Sequence, residues 1–246
     1  MSKVAVVTGG VGGIGTEICR YLAKGGYKVA ATCIASEVAG AEEWKAQFSK
    51  DGLEVEVFQL EITDFDDCVK VTAQIEEKMG PIGCLVNNAG ITKDGTMKKM
   101  DKSMWDAVIN INLTGAFNMS KQVFTKMTEQ KFGRIINISS LNGRKGQFGQ
   151  ANYSAAKAGI HGFTMSIAQE GARKGVTVNT VSPGYINTNM MKAIPEDILN
   201  KIIAQIPVGR LGEAEEIAQL VAYMASDAAA FMTGANVDMN GGQFIH

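Results

Sequence analysis

Seven short runs rich in valine and isoleucine recur along this chain, each separated from the next by a longer amphipathic stretch. The runs lie at Val4–Thr8, Lys28–Cys33, Glu54–Gln59, Cys84–Asn87, Arg134–Ser139, Thr177–Ser182 and Asn236–Asp238. They are apolar with little alternation, which is how a strand reads when both faces of its sheet are covered. Helices are predicted between them at Gly13–Lys24, Gly40–Asp51, Asp64–Met79, Ser103–Gln130, Tyr153–Lys174 and Glu213–Ser226. Asp64 stands before a polar first turn, and Asp101 or Ser103 offers a cap for the long fourth helix. Strict strand–helix alternation predicts an α/β fold: a doubly wound parallel sheet of about seven strands with helices on both faces.

Composition narrows the function classes. Of 246 residues, 46% are hydrophobic and 20% charged, enough apolar material for one full core, so residues 1–246 are expected to form a single domain. The formal net charge of −1 gives no reason to expect nucleic acid as a partner. Cys19, Cys33, Cys68 and Cys84 form no C-x-x-C pair and read as free thiols of a reducing compartment. The stretch MSKVAVVTGG has no signal-like apolar region and no run reaches membrane-spanning length, so a cytoplasmic location with no membrane partner is expected. His161 and His246 stand in no ligand cluster, and no metal is expected. The stretch Gly184–Arg210, with Pro183, Pro195 and Pro207 around it, breaks the rhythm after the sixth strand. An insertion of that length at the carboxyl side of a sheet is expected to be a lid, at about 184–210.

Two local patterns carry chemistry. Thr8-Gly9-Gly10-Val11-Gly12-Gly13-Ile14-Gly15 closes the first strand and opens the first helix, which makes the fold Rossmann-type. Glycines there permit a tight turn and close approach of a pyrophosphate to free helix N–H groups. The spacing is G-x-x-x-G-x-G rather than G-x-G-x-x-G, and taken alone it is also compatible with a purely structural turn. Tyr153 and Lys157 are four residues apart, on one face of a helix. A tyrosine ionises near pH ~10, and an adjacent ammonium lowers that value, making the phenol usable as an acid–base group. Ser140, just past the fifth strand, can donate to a carbonyl oxygen. Singly, the helical pair also reads as surface decoration and the serine as a turn residue.

Together these patterns resemble the short-chain dehydrogenase/reductase family from about residue 3 to the C-terminus. The match runs in order through T-G-x-x-x-G-I-G at Thr8–Gly15, N-N-A-G at Asn87–Gly90, and Asn112 in N-I-N-L-T-G. It continues through Ser140 in N-I-S-S, Y-x-x-x-K at Tyr153–Lys157, and S-P-G-Y at Ser182–Tyr185. The resemblance implies a nicotinamide-dependent carbonyl reductase. Ser140 would bond the substrate carbonyl, Tyr153 would donate the proton, and Lys157 would hold the nicotinamide ribose. Asn112 would anchor a water chain that reprotonates the site. Gly9, Gly12, Gly13, Ile14, Gly15, Asn88, Ala89 and Gly90 would line the cofactor, with Glu61 and Ile62 beside the adenine. Pro183, Gly184, Ile186 and Thr188 would cover the nicotinamide end. The family also implies a homotetramer pairing the helices at Ser103–Gln130 and Tyr153–Lys174, with Ala155, Ala156, Ala158, Gly159 and Gly162 allowing close approach; the same small residues could serve packing within the chain.

Within the family, G-Q-F-G-Q at Gly146–Gln150 is most similar to bacterial acetoacetyl-CoA reductases, with 3-oxoacyl-acyl-carrier-protein reductases next. The first implies reduction of acetoacetyl-CoA to (R)-3-hydroxybutyryl-CoA, a polyhydroxybutyrate precursor, with Gln147, Phe148, Gln150 and Tyr185 as substrate contacts. Phe148 also reads as loop packing. Lys93, Lys98, Lys99, Arg144 and Lys145 are candidates for the acyl-CoA phosphates. The carrier-protein alternative would use Lys131, Arg134, Arg173 and Lys174. A non-catalytic nucleotide sensor is a third reading, weakened by the complete Ser–Tyr–Lys set. Between NADH and NADPH, NADH is favoured: Ile34–Gly40 holds no Lys or Arg, and Glu37, 22 residues past Gly15, suits a ribose 2′-OH and repels a phosphate. The alternative is that Glu37 faces solvent while Ser36 and backbone N–H groups take the phosphate.

Overall fold

The structure is a computed structural model that describes residues 3–188, 191 and 195–245. Its strands are β1 (Val4–Val7), β2 (Lys28–Cys33), β3 (Val55–Gln59), β4 (Ile82–Asn87), β5 (Gly133–Ile138), β6 (Val176–Pro183) and β7 (Asn236–Met239). They form one sheet in the order β3-β2-β1-β4-β5-β6-β7, with every neighbouring pair parallel. The order reverses between β1 and β4, which opens a crevice at their carboxyl ends.

The helices are α1 (Gly13–Lys24), α2 (Ala41–Lys50), α3 (Phe65–Met79), α4 (Lys102–Ile109), α5 (Gly115–Glu129), the single turn α6 (Asn142–Lys145), α7 (Ala151–Ala172), α8 (Glu196–Ile203) and α9 (Ala214–Ala225). They cover both faces, and β1 shows why its sequence does not alternate. Ala5 and Val7 pack with Ile18, Leu22, Phe48, Ile217 and Val221 of α1, α2 and α9. Val4 and Val6 pack with Val71, Ile75, Met119, Val123 and Ala168 of α3, α5 and α7. Each buried Val or Leu of these two layers contributes about 1.5–3 kcal/mol of transfer free energy.

Two elements differ from the sequence reading. The helix expected over Ser103–Gln130 is interrupted by a π turn at Asn110–Thr114. The lid expected at 184–210 contains the helix α8, whose first turn carries Glu196 and Asp197 behind Pro195; that first turn is favourable to the helix dipole. Residues 189–190 and 192–194 of the lid, and His246, lie outside the described residues. Among those described, no helix is long and apolar enough to cross a membrane. No group of three or more His, Cys, Asp or Glu could hold a metal ion among them either.

Candidate active site

The crevice is closed at its floor by the glycine turn. Thr8 Oγ1 accepts hydrogen bonds from the N–H groups of Asn88 and Ala89, both at 3.0 Å. Asn88 Nδ2 donates to the carbonyls of Thr8 at 3.0 Å and Gly9 at 3.1 Å. These bonds tie the ends of β1 and β4 into one rigid ledge. Gly9 adopts φ +61, and a Cβ at Gly15 would lie 2.3 Å from the Gly9 carbonyl oxygen, so the turn has no room for a side chain there. Gly12 stands at the N-cap of helix α1 and offers no side-chain cap, leaving the first-turn N–H groups without a side-chain partner. A Cβ at Gly13 would lie 3.5 Å from the Thr188 methyl, which places Thr188 across the turn. A bare, positively polarised helix end facing a threonine fits the pyrophosphate of a dinucleotide.

The Ser–Tyr–Lys set meets at the other end of the crevice. The Ser140 hydroxyl stands beside the Tyr153 phenol, close enough to favour its ionised form. Lys157, 4% exposed, holds Nζ 5.7 Å from the Tyr153 ring centre and donates to the Ile138 carbonyl at 2.8 Å. Ser139 Oγ donates to the Lys157 carbonyl at 2.7 Å, fixing the helix against β5. Asn112, within the π turn, accepts from Ile91 N–H at 2.8 Å and donates to its carbonyl at 2.9 Å. A Cβ at Gly90 would lie 3.4 Å from both Asn112 Oδ1 and Lys157 Nζ, so these polar groups flank one point.

The electrostatics differ from the simple expectation that Lys157 acidifies Tyr153. Burial pushes the phenol above its ordinary value, the neighbouring Ser140 hydroxyl pulls it back, and Asp94 adds to the rise. Lys157 is itself turned onto a carbonyl, and burial brings its ammonium down to about 8. In this state the phenol therefore keeps its proton.

Around this centre the expected residues fall into two groups. Gly184 follows β6 against Asn240, and Ile186 packs on Gly212, so the base of the lid is pinned beside the crevice. Pro183 accepts from Leu141 N–H at 2.8 Å, linking β6 to the Ser140 turn. Phe148, 87% exposed, and exposed Gln147 stand free above the site, and Tyr185 is half-buried. Gln150 is committed at both ends of its amide. Nε2 donates to Asp94 at 2.9 Å, and Oε1 accepts from Asn142 at 2.8 Å.

Five further residues are held by partners within the chain. Glu37 lies in a 3₁₀ turn (Ala35–Gly40) and folds back to accept from Ile34 N–H at 3.2 Å. Glu61 turns onto Thr63, and the Ile62 side chain is buried against Gly115 while its carbonyl accepts from Asn118 Nδ2 at 2.9 Å. Arg134 is buried, bonded to the Gly133 and Gly175 carbonyls and to Asp227, and Arg144 pairs with Asp238. Neither arginine is a free surface charge.

Sequence reasoning missed Asp94, Asn142, Gly143 and Asn152. Asn152 accepts from Tyr153 N–H at 2.8 Å and donates to the carbonyls of Lys93 and Met104 at 2.9 and 3.1 Å. The only signal was polarity next to a motif, which many loop residues share.

This sheet, its glycine ledge and its serine–phenol–ammonium cluster are those of a short chain dehydrogenase. The profile of that family matches residues 3–199, and the chain belongs to it. Among its relatives, an acetoacetyl-CoA reductase of Allochromatium vinosum is 55% identical over 246 residues, 100% of both chains. Another from Shinella zoogloeoides is 54% identical over the same span. A 3-oxoacyl-acyl-carrier-protein reductase of Pseudomonas aeruginosa is 42% identical over 243 residues, 99% of this chain and 98% of its own.

Proposed function

We propose that this chain is an acetoacetyl-CoA reductase, forming (R)-3-hydroxybutyryl-CoA, a polyhydroxybutyrate precursor, at the expense of a reduced nicotinamide dinucleotide. The observation that carries the reading is the convergence of Ser140, Tyr153 and buried Lys157, the ammonium lying one turn from the phenol and 5.7 Å from its ring. The nicotinamide, when bound, supplies the hydride that reaches the 3-keto carbon. Ser140 orients the keto oxygen, and Tyr153 delivers its proton there as negative charge develops. A phenol whose ionisation is held high is loaded for donation, which suits reduction. Lys157 then lies 5.7 Å from the ring to stabilise the phenolate and to hold the ribose. Gly9, Gly12, Gly13, Ile14, Gly15, Asn88, Ala89 and Gly90 would seat the dinucleotide, with Pro183, Gly184, Ile186 and Thr188 over its nicotinamide end. Asn112 would anchor the water that reprotonates the site.

Substitution of Tyr153 by Phe is expected to lower turnover on acetoacetyl-CoA at least about a thousandfold, near 4 kcal/mol in transition-state stabilisation. Retained turnover would refute the scheme. The substrate reading is supported by the two relatives at 55% and 54% identity and by the position of the lysines. Lys93, Lys98 and Lys99, in the loop after β4, and Lys145, at the end of α6, are exposed at the carboxyl side of the sheet, where the phosphates of an acyl-CoA would pass. Lys131, Arg173 and Lys174 flank the opposite end of β5 and β6, roughly 20 Å of strand away. A higher kcat/KM on the carrier-protein thioester than on acetoacetyl-CoA would reverse the choice.

For the cofactor, NADH is the proposed partner. The first basic residue after β2 is Lys45, and its Nζ is held by Glu56 at 3.0 Å. Glu37 keeps a carboxylate where a 2′-phosphate would sit. Initial rates with each cofactor test this; an NADPH preference above about a hundredfold, near 2.7 kcal/mol, overturns it. A cytoplasmic homotetramer completes the reading. Ala155, Ala158 and Gly162 face outward on α7 beside exposed Met165, whereas Ala156 and Gly159 pack inside. A sizing column reads the assembly directly.

A further inference from the structure

We propose that Glu213, at the head of α9, positions Thr188 through Asn187, and that this latch tightens the hold of the protein on its dinucleotide. The inference rests on the reading of the glycine turn and Thr188 as part of the dinucleotide site. Asn187 Nδ2 donates to both carboxylate oxygens of Glu213, at 3.2 and 3.3 Å. Thr188 is the next residue, and its methyl lies 3.5 Å from where a Cβ at Gly13 would stand. The latch therefore acts one residue away from a group that faces the glycine turn.

Glu213 is the fixed end. It stands at the start of α9 (Ala214–Ala225), whose Ile217, Ala218 and Val221 are buried in the core. Glu213 N–H donates to Glu216 Oε2 at 2.8 Å. Both terminal nitrogens of Arg210 donate to the Glu216 carboxylate, at 2.7 and 2.8 Å. That fork brings the Glu216 carboxyl down to about 2, so it stays ionised and keeps its hold on Glu213.

The steered end is the chain leaving β6. Gly212 N–H donates to the Tyr185 carbonyl at 2.9 Å, and Asn187 N–H donates to the Gly212 carbonyl at 2.8 Å. These bonds flank a parallel bridge between Ile186 and Gly212. The N–H bond fixes only the amino side of Asn187. Its side-chain bond holds the same residue at a second point, and with both made the direction in which the chain leaves for Thr188 is set. An ionised carboxylate only accepts, so Asn187 must turn its NH₂ to Glu213. Glu213 is exposed, and a bond so close to water adds little to the stability of the fold. Its effect is on position.

Calorimetric titration of the full chain with NADH tests the latch. Asn187→Asp sets two carboxylates against each other and should raise the Kd for NADH at least about fivefold, with the Tm of the unliganded protein within about 2 °C of wild type. Asn187→Ala removes the bond without adding charge and should raise Kd about threefold. The exchange Asn187→Asp/Glu213→Gln restores a donor and an acceptor in the opposite sense at the wild-type net charge. Its Kd should return to within about twofold of wild type. KM for NADH should follow Kd, with kcat at saturating NADH within about threefold throughout. Unchanged Kd in Asn187→Ala would overturn the proposal. So would an exchange variant no better than Asn187→Asp, because the charge at position 187 would then repel the pyrophosphate directly. Should Asn187→Asp fold poorly, Asn187→Ala carries the test. Wild-type protein that bound neither NADH nor NADPH would instead sink the dinucleotide reading, so the two failures are told apart.

Discussion

Lys157 is expensive where it stands. It is 4% exposed, no carboxylate lies within ion-pair distance among the described residues, and burial alone brings its ammonium down to about 8 from the ordinary 10.5. That difference corresponds to about 3 kcal/mol of unfavourable burial at neutral pH. Lys157→Met should therefore abolish reduction and yet stabilise the fold. Loss of the bond to the Ile138 carbonyl takes back about 1 kcal/mol, leaving a gain of about 2 kcal/mol and a Tm rise of about 5 °C at pH 7. The sign with pH follows from proton counting. Between about pH 8 and 10.5 the unfolded wild type binds the proton that the folded form has released, so wild-type stability rises with pH in that window. Below pH 8 both states are charged and the penalty stands in full. Melting curves of the two proteins should diverge at pH 7 and converge by pH 10. A variant that melts below wild type by the same margin at both values would show that the ammonium is not the source.

The single turn α6 is the element on which the site depends most. It carries Asn142 and Gly143 just behind Ser140, and a Cβ at Gly143 would lie 2.7 Å from the Lys157 carbonyl carbon and 2.9 Å from Ala158 N. The Ser140 turn can touch α7 only because that side chain is missing. Gly143→Ala should push the turn outward by a fraction of an ångström to 1 Å, with kcat falling about a hundredfold and Tm by only a few degrees. Equal losses in both, read by kinetics and calorimetry, would mean global damage instead. Elements of this kind explain what sequence could and could not reveal. Strand β2 matches its expected span, Lys28–Cys33, because a strand buried on both faces writes an unbroken apolar run. The π turn at Asn110–Thr114 leaves no such mark, since one extra residue in a helix hardly disturbs a hydrophobic period. Helix α8 was readable after all: Pro195 followed by two acids and the spacing of Ile198, Leu199, Ile202 and Ile203 is a helix start. Motif spacing located Ser140, Tyr153 and Lys157, but the orientation of Gln150 and Glu37 is set by Asp94, Asn142 and the Ile34 backbone, and no local pattern encodes those partners.

Across the whole molecule, the four cysteines sample the two layers of core and so report how the fold opens. Cys19 and Cys84 lie in the layer under α1 and α9, Cys68 in the layer under α3 and α5, and Cys33 at the end of β2. All are free and buried, and burial raises every thiol, Cys68 and Cys84 to about 12. A buried thiol held far above neutral pH reacts with iodoacetamide only after the structure opens around it. Cys19 lies directly under the glycine turn: its Sγ is 3.7 Å from the Gly10 carbonyl, and the turn above it is built largely of residues without side chains. Local opening of the glycine turn should expose Cys19 while Cys84, in the middle of the sheet, waits for global unfolding. Labelling resolved by mass spectrometry should then find Cys19 modified well before Cys84. Because the dinucleotide needs the closed turn, cofactor at about a hundred times its Kd should slow Cys19 about a hundredfold, near 2.7 kcal/mol, toward the rate of Cys84. Identical rates for the two thiols without cofactor would mean that the turn opens only with the entire sheet. Cys19 labelling that ignores the cofactor would place the dinucleotide somewhere other than the end of β1.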